Sequence, residues 1–285
     1  AENLKKDFPK STIGVFGPFP SRFPNYFSSA DFVLLGEAEG FFQNEFKNLK
    51  QLKGNVYVAK LTDIDNLPPP DYDSLPITKY SYYPLIKEKP FLVLQTTKGC
   101  PYSCGYYCTY GEYQGMMYRK RSADKVIKDI EILIKKYKVK GIQFRDPTFG
   151  IHKDHVKEIC KLIKEKGIKI KWGMETRLDL LNEEIINIMY DAGMRNINVG
   201  VETIDPEIAR KNKRLLVQSQ HQEGIIKYCE EKGVKISAFY ILGFDGDTIE
   251  TMNKTIDYAK KLNTILARFA VSTPYPGTKF FTQLK

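Results

Sequence analysis

The sequence predicts a parallel α/β protein, a partial (βα)6 barrel over residues 90–285 preceded by a small α/β segment. Three observations carry this. From residue 90 onward, short apolar runs alternate with amphipathic stretches at helical spacing, the rhythm of βα units in a parallel sheet. Six such units fall between residues 91 and 271, where a closed eightfold barrel takes about 250 residues. Distinctive polar residues recur just after each apolar run, at the strand ends where this architecture keeps its chemistry.

Taken in order, the spacing predicts a first strand over 91–95, leading into a cysteine-bearing loop. Ser122 is placed to cap a helix whose Val126, Ile127, Ile130, Leu133 and Tyr137 share one face. The second strand, 141–145, ends at Asp146. Val156, Ile159, Cys160 and Ile163 stripe the next helix, which Gly167 closes, so Cys160 reads as core. A third strand begins at 168–172, and Asn182 caps a helix ending at Gly193. The fourth strand is 196–201, after which Asp205 and Pro206 supply an N-cap and a first-turn proline. A helix carrying Ile225, Ile226 and Cys229 ends at Gly233, and Cys229 also reads as core. Strands over 234–242 and 266–271 complete the set. The helix between them opens at a capping box with Asp247 in the cap position and Glu250 as its partner.

Residues 1–65 form the smaller α/β segment, with strands expected over 12–17, 31–37 and 56–58 and a polar helical stretch over 39–52. Residues 66–89, which contain Pro68-Pro69-Pro70, read as an extended linker.

Bulk properties narrow the class. A hydrophobic content of 42% with 27% charged residues is ordinary for a globular protein. No apolar run approaches the 18 or more residues of a membrane span, and the first residues carry no apolar core of a signal peptide. Five cysteines, an odd number, argue against a disulfide framework and for a reducing, cytoplasmic setting. The net charge of +10 is the only support for an RNA partner. The lysines are interspersed with glutamates along helices, the pattern of a solvated face.

The stretch that organises the chain is the loop 97–108, Thr-Lys-Gly-Cys-Pro-Tyr-Ser-Cys-Gly-Tyr-Tyr-Cys. Cys100, Cys104 and Cys108 gather three thiols on a Gly/Pro-punctuated loop, a setting for metal or cluster ligation. A structural zinc takes four ligands, and the first histidine in the chain is His152. Three thiolates without a fourth suit a four-iron cluster with one iron open to a small ligand; the bland reading is three buried or accidentally clustered thiols.

This loop resembles that of radical S-adenosylmethionine (radical SAM) enzymes, in which three cysteines bind a [4Fe-4S] cluster and the open iron chelates SAM. The family spacing is C-x3-C-x2-C, with an aromatic residue before the third cysteine. Here the spacing is C-x3-C-x3-C, and Tyr107 keeps the aromatic position. The strand ends extend the resemblance over residues 90–280: Asp146-Pro147-Thr148-Phe149, Glu175-Thr176-Arg177, Glu202-Thr203, Gly243-Phe244-Asp245-Gly246 and Pro274-Tyr275-Pro276-Gly277-Thr278. They look like the motifs of the cobalamin-linked and methylthiotransferase-like branch.

The resemblance implies metal ligation by Cys100, Cys104 and Cys108, and a SAM site drawn from Tyr107, Asp146, Arg177, Glu202 and Gly243. Tyr107 would lie beside the adenine, Asp146 would accept from the SAM ammonium, and Arg177 would pair with its carboxylate. Glu202 would accept from the ribose hydroxyls or the ammonium, and Gly243 would let backbone approach the adenosine. For Asp146, Arg177 and Glu202 a structural ion pair inside the barrel competes with each role; Tyr107 also reads as a loop aromatic folded into the core, and Gly243 as a plain turn.

The first 65 residues resemble the last third of the Rossmann-like cobalamin-binding domain that precedes many radical SAM cores. The Asp-x-His-x-x-Gly motif of that domain's front has no counterpart here, so the sequence reads as a piece of a longer parent in which cobalamin would be bound; the competing reading is a small α/β cap with no cofactor. The implied reaction is reductive cleavage of SAM to a 5′-deoxyadenosyl radical, with methyl transfer where cobalamin is present. A small-molecule substrate and a reductant such as flavodoxin or ferredoxin are the implied partners. An RNA methylthiotransferase type and a degenerate, non-catalytic metal-binding protein are the alternatives. Residues 1–99 hold no cysteine for the second cluster the former carries.

Overall fold

The structure, a computed structural model, describes residues 1–57, 61 and 63–284. The chain divides into two compact units: Ala1–Leu67, Gly99–Arg119 and Thr273–Lys285 form the first, and Pro68–Lys98 with Lys120–Ser272 the second.

The first unit opens with α1 (Glu2–Asp7), β1 (Gly14–Val15), α2 (Pro18–Arg22), β2 (Phe32–Leu35), α3 (Ala38–Glu45) and β3 (Gly54–Tyr57). The second begins with β4 (Phe91–Leu94) and the two-residue β5 (Thr97–Lys98). The chain returns to the first unit for α4 (Tyr110–Tyr113), and β6 (Arg119–Lys120) leads back out. There follow α5 (Ala123–Tyr137), β7 (Gly141–Phe144), α6 (Lys153–Glu165), β8 (Lys171–Thr176), α7 (Glu183–Asp191) and β9 (Met194–Glu202). Then come α8 (Pro206–Lys211), α9 (Ser219–Glu231), β10 (Lys235–Leu242), α10 (Ile249–Leu262) and β11 (Leu266–Val271), with α11 (Lys279–Gln283) in the first unit.

In the first unit β1, β2 and β3 make a three-stranded parallel sheet in chain order. Phe32, Leu34 and Ala38 bury its centre, with Phe41 and Phe42 packed against them. The expected strand 56–58 starts earlier, at Gly54, and its Val58 lies outside the described residues. The helical stretch 39–52 is α3 followed by a 3-10 turn over Phe46–Gln51.

The second unit is the expected partial barrel: six parallel strands in the order β4-β7-β8-β9-β10-β11, each joined to the next by helix or loop on one side. Strand alternation sorts its two faces. Ile142, Phe144, Trp172, Met174, Ile197, Val199, Ile236 and Ala238 belong to the core shared with the helices. The residues between them, Gln143, Gly173, Asn196, Asn198 and Ser237, are polar or absent in side chain, and the four polar ones are buried. Core helices follow the periodicity read from the sequence: Val126, Ile127, Ile130 and Leu133 of α5, and Val156, Ile159, Cys160 and Ile163 of α6, are all buried. Cys160 and Cys229 are core, at 0% exposure.

Several details differ from expectation. The third strand starts at Lys171 rather than 168 and runs to Thr176. At the start of α10 the N-cap is Thr248, with Thr251 as its reciprocal partner. Asp247 instead accepts from Phe244 N–H at 2.9 Å and Thr251 Oγ1 at 2.7 Å, because it sits in the turn after Gly246. The proline-rich stretch from Pro68 onward belongs to the second unit. Tyr72 O–H donates to Val93 O at 2.7 Å, Tyr82 stacks on Phe91 at 5.0 Å, and Leu85 and Ile86 are 2% and 1% exposed. Its tyrosines and the Leu85-Ile86 pair give the segment an apolar face that outweighs its prolines.

Candidate functional site

The cysteine loop lies in the first unit. Gly99 opens it at φ +82°, and a Cβ there would stand 1.9 Å from Met117 O, so only glycine closes the loop. Gly99 N–H donates to Gln114 Oε1 at 3.2 Å and Cys100 N–H to Gly115 O at 3.1 Å, joining the loop's two limbs. Between them a 3-10 turn, Ser103–Tyr106, extends by one residue into an α-type turn, Cys108 N–H donating to Cys104 O at 2.9 Å. The residue by which this loop exceeds C-x3-C-x2-C is absorbed in that turn. Cys104 and Cys108 stand four residues apart across it. Cys100 is buried, Cys104 and Cys108 are half-buried, and none of the five cysteines is in a disulfide. Tyr107 is half-exposed, whereas its neighbour Tyr106 is buried, its O–H donating to Gln283 Oε1 at 2.7 Å and its ring 5.6 Å from Phe280.

Sequence reasoning assigned Glu37 no role in this loop. Its carboxylate is gripped by both terminal nitrogens of Arg119, and Arg119 Nη2 also donates to Gln114 O at 3.0 Å. Glu37 falls within the strand expected over 31–37, but nothing in the sequence pointed to a partner 82 positions away.

The other predicted residues lie in the second unit. Asp146 is 0% exposed just beyond β7. Its Oδ1 accepts from Thr96 N–H at 2.6 Å and Thr97 N–H at 3.1 Å, and its Oδ2 from Thr96 Oγ1 at 2.5 Å. Burial pushes its carboxyl up to about 6, against the pull of those hydrogen bonds. Arg177, after β8, is buried and forks onto Asp179, Nε to Oδ1 at 3.0 Å and Nη2 to Oδ2 at 3.3 Å. Glu202 ends β9 in the left-handed region at φ +70°, an uncommon conformation for a residue with a Cβ. Burial raises its carboxyl pKa, while Arg214 and then Arg177 draw it down. Its carboxylate and the Arg214 guanidinium both lie against Gly200, where a Cβ would be 2.5 Å from Glu202 Oε1 and 3.2 Å from Arg214 Nη2. Gly243 turns at φ +77° with nothing within 4 Å of where a Cβ would stand.

Three thiols in one loop fit a [4Fe-4S] cluster in donor type and number. Among the described residues, no three Cys, His, Asp or Glu side chains are already drawn together as a metal site. No helix among the described residues is long and apolar enough to cross a membrane.

A partial (βα)6 barrel with a three-cysteine loop after its first strand defines the class, and comparison with known proteins agrees. Residues 94–259 match the Radical SAM superfamily, and the chain belongs to it. Enzymes of this superfamily use a [4Fe-4S] cluster and SAM. The chain is 30% identical over 245 residues to "Uncharacterized methyltransferase PH0819" of Pyrococcus horikoshii, covering 86% of this chain and 52% of that protein. It is 26% identical over 227 residues to an anaerobic magnesium-protoporphyrin IX monomethyl ester cyclase of Rubrivivax gelatinosus, covering 79% of this chain and 40% of that one. Among solved structures, the cobalamin-dependent SAM radical enzyme OxsB, with aqua-cobalamin and SAM bound, superposes with a TM-score of 0.72 at 17% identity. That alignment covers 99% of this chain and 43% of OxsB and speaks to fold. The chain spans about half the length of the curated relatives it matches.

Proposed function

We propose that this chain is the cluster- and SAM-binding core of a radical SAM enzyme whose reaction is methyl transfer, with cobalamin held by a longer parent protein. The observation that carries the reading is the cysteine loop in a chain matched to the superfamily from residue 94 to 259. Cys100, Cys104 and Cys108 would hold three irons as thiolates. When bound, the cluster supplies the electron that breaks a carbon–sulfur bond of SAM.

The chain's own residues bind and orient. Glu202 would accept hydrogen bonds from the SAM ribose or ammonium; its carboxylate feels the charges of Arg214 and Arg177. Arg177, oriented by Asp179, would pair with the SAM carboxylate. Tyr107 would lie beside the adenine, and Gly243, with nothing within 4 Å of where a Cβ would stand, would let backbone approach the adenosine. Asp146 is occupied by Thr96 and Thr97 and serves to fix the end of β4. The relative named a methyltransferase supports methyl transfer as the outcome. A small-molecule substrate and a flavodoxin- or ferredoxin-type reductant are the partners this chemistry needs.

Anaerobic reconstitution with iron and sulfide tests the reading. About four irons per chain are expected, with SAM cleaved on reduction, and both are lost in Cys104→Ala. A wild-type chain that takes up no iron, or a cluster that survives Cys104→Ala, overturns it. The same experiment decides for or against the non-catalytic reading, which the C-x3-C-x3-C spacing keeps open.

A further inference from the structure

The cysteine loop is entered through Thr96–Lys98 and left through Lys120–Arg121, and both stems lie in the second unit. They are joined to each other there, Arg121 N–H donating to Thr96 O at 2.8 Å. Each stem is also gripped by buried side chains from separate elements. Thr96 gives both its N–H and its hydroxyl to Asp146, beyond β7. Arg121 receives a hydrogen bond at its carbonyl from His155 of α6, at 2.7 Å, and its guanidinium pairs with Asp129 of α5 at 2.9 Å. A carbonyl can only accept, so His155 Nε2 carries the proton. Side-chain exposure of Arg121 and Asp129 is 6% and 5%.

Charged residues are seldom this buried unless paired. A buried pair of this kind adds little net stability compared with apolar packing, so a role in fixing position accounts for it better than a role in holding the fold. Three elements of the barrel converge here on two residues, and those two residues bound the segment that carries all three loop cysteines. Fixing both ends of a loop removes part of the entropy otherwise lost when its side chains are gathered on one ligand.

We propose that Asp146, Asp129 and His155 are positioning residues: they clamp Thr96 and Arg121, the stems of the cysteine loop, so that Cys100, Cys104 and Cys108 reach a common cluster. The proposal rests on the cluster reading above. The clamp acts on the backbone and touches no cofactor. Releasing one of its grips loosens the loop without opening the core of the second unit.

The test uses the full chain under anaerobic conditions. Thiol alkylation is followed cysteine by cysteine by peptide mass spectrometry in wild type, His155→Leu, His155→Gln and Asp129→Asn. Cys160 and Cys229, at 0% exposure in the core, report any general loosening. His155→Leu is expected to speed labelling of Cys100 by about tenfold, the effect of one buried hydrogen bond left unmade, with Cys160 and Cys229 still protected. His155→Gln, which keeps an N–H donor, restores the slow rate. Asp129→Asn keeps the volume and supplies a second, independent release. Unchanged Cys100 labelling in both His155→Leu and Asp129→Asn overturns the proposal. So does a rise at Cys160 and Cys229 in step with Cys100, and so does failure of His155→Gln to rescue.

Iron retention separates this from the cluster reading. If wild type binds no iron, that reading falls and the clamp's purpose with it, whatever the labelling shows. If wild type holds iron, His155→Leu must lose it to a chelator faster than wild type and His155→Gln must not. Equal retention in all three overturns the clamp alone.

Discussion

Glu37 and Arg119 stand 82 positions apart in the sequence and meet as a forked ion pair, Nη1 at 2.8 Å from Oε2 with Nη2 against Oε1. The pair fastens the closing limb of the cysteine loop to the end of β2, within the first unit. Side-chain exposure is 4% for Glu37 and 13% for Arg119, so neither charge has ready recourse to water.

Removing one member therefore leaves the other buried and unmatched. Glu37→Ala should cost about 3–5 kcal/mol, read as a lowered midpoint in urea denaturation of the first unit. A loss under about 1 kcal/mol, the value of an exposed pair, would show that the grip is ornamental.

Asp146 sets a pH dependence. Its carboxyl is raised by burial from 3.8 to about 6, so the folded protein holds that proton more tightly than the unfolded chain does. Its contribution is full below about pH 4 and is lost as pH rises through about 6. The loss amounts to about 3 kcal/mol at most. Asp146→Asn keeps the acceptor for Thr96 and Thr97 N–H without the charge. It should be more stable than wild type at pH 7 and lack the slope between pH 4 and 6, measured by thermal midpoints across that range. A wild-type profile flat over that window would contradict the assignment.

Two glycines closing helices should respond unequally to alanine. Gly193 and Gly233 both have positive φ, at +101° and +75°. A Cβ on Gly193 would lie 2.2 Å from Ile170 O, while nothing lies within 4 Å of one on Gly233. Gly233→Ala should cost about 1–2 kcal/mol, the left-handed penalty alone, and Gly193→Ala distinctly more. Equal losses in chemical denaturation would mean that the backbone at Gly193 yields.

Cysteine reactivity should divide by environment. Burial pushes the Cys160 and Cys229 thiols up to about 12, so at pH 8 they are neither ionised nor reached. Iodoacetamide should mark the half-buried Cys104 and Cys108 first, and Cys160 and Cys229 only on unfolding. Early labelling of Cys229 would show that α9 opens in the native state.

Local patterns carried much of this into the sequence. Amphipathic stripes gave α5 and α6 face for face, because burial against a sheet demands that spacing. Asn182 and Asp205 were legible as caps, since a cap bonds N–H groups two or three residues away. Thr248 was misread by one position, because Asp and Thr are both good caps and the turn at Gly243–Gly246 chooses between them. Composition marked the proline-rich stretch as extended but did not say where its Tyr72, Leu85 and Ile86 pack.

The sequence by itself determined the parallel strand-and-helix order, the core cysteines and the presence of three thiols in one loop, all consequences of short-range spacing. Only the tertiary structure decided what each buried charge faces: Asp146 the backbone just beyond β4, Arg177 its neighbour Asp179, Arg119 the distant Glu37, and Arg121 the carboxylate of Asp129. A carboxylate's partner depends on which groups lose water beside it when the chain folds. That is settled by three-dimensional packing between positions whose separation in sequence carries no information.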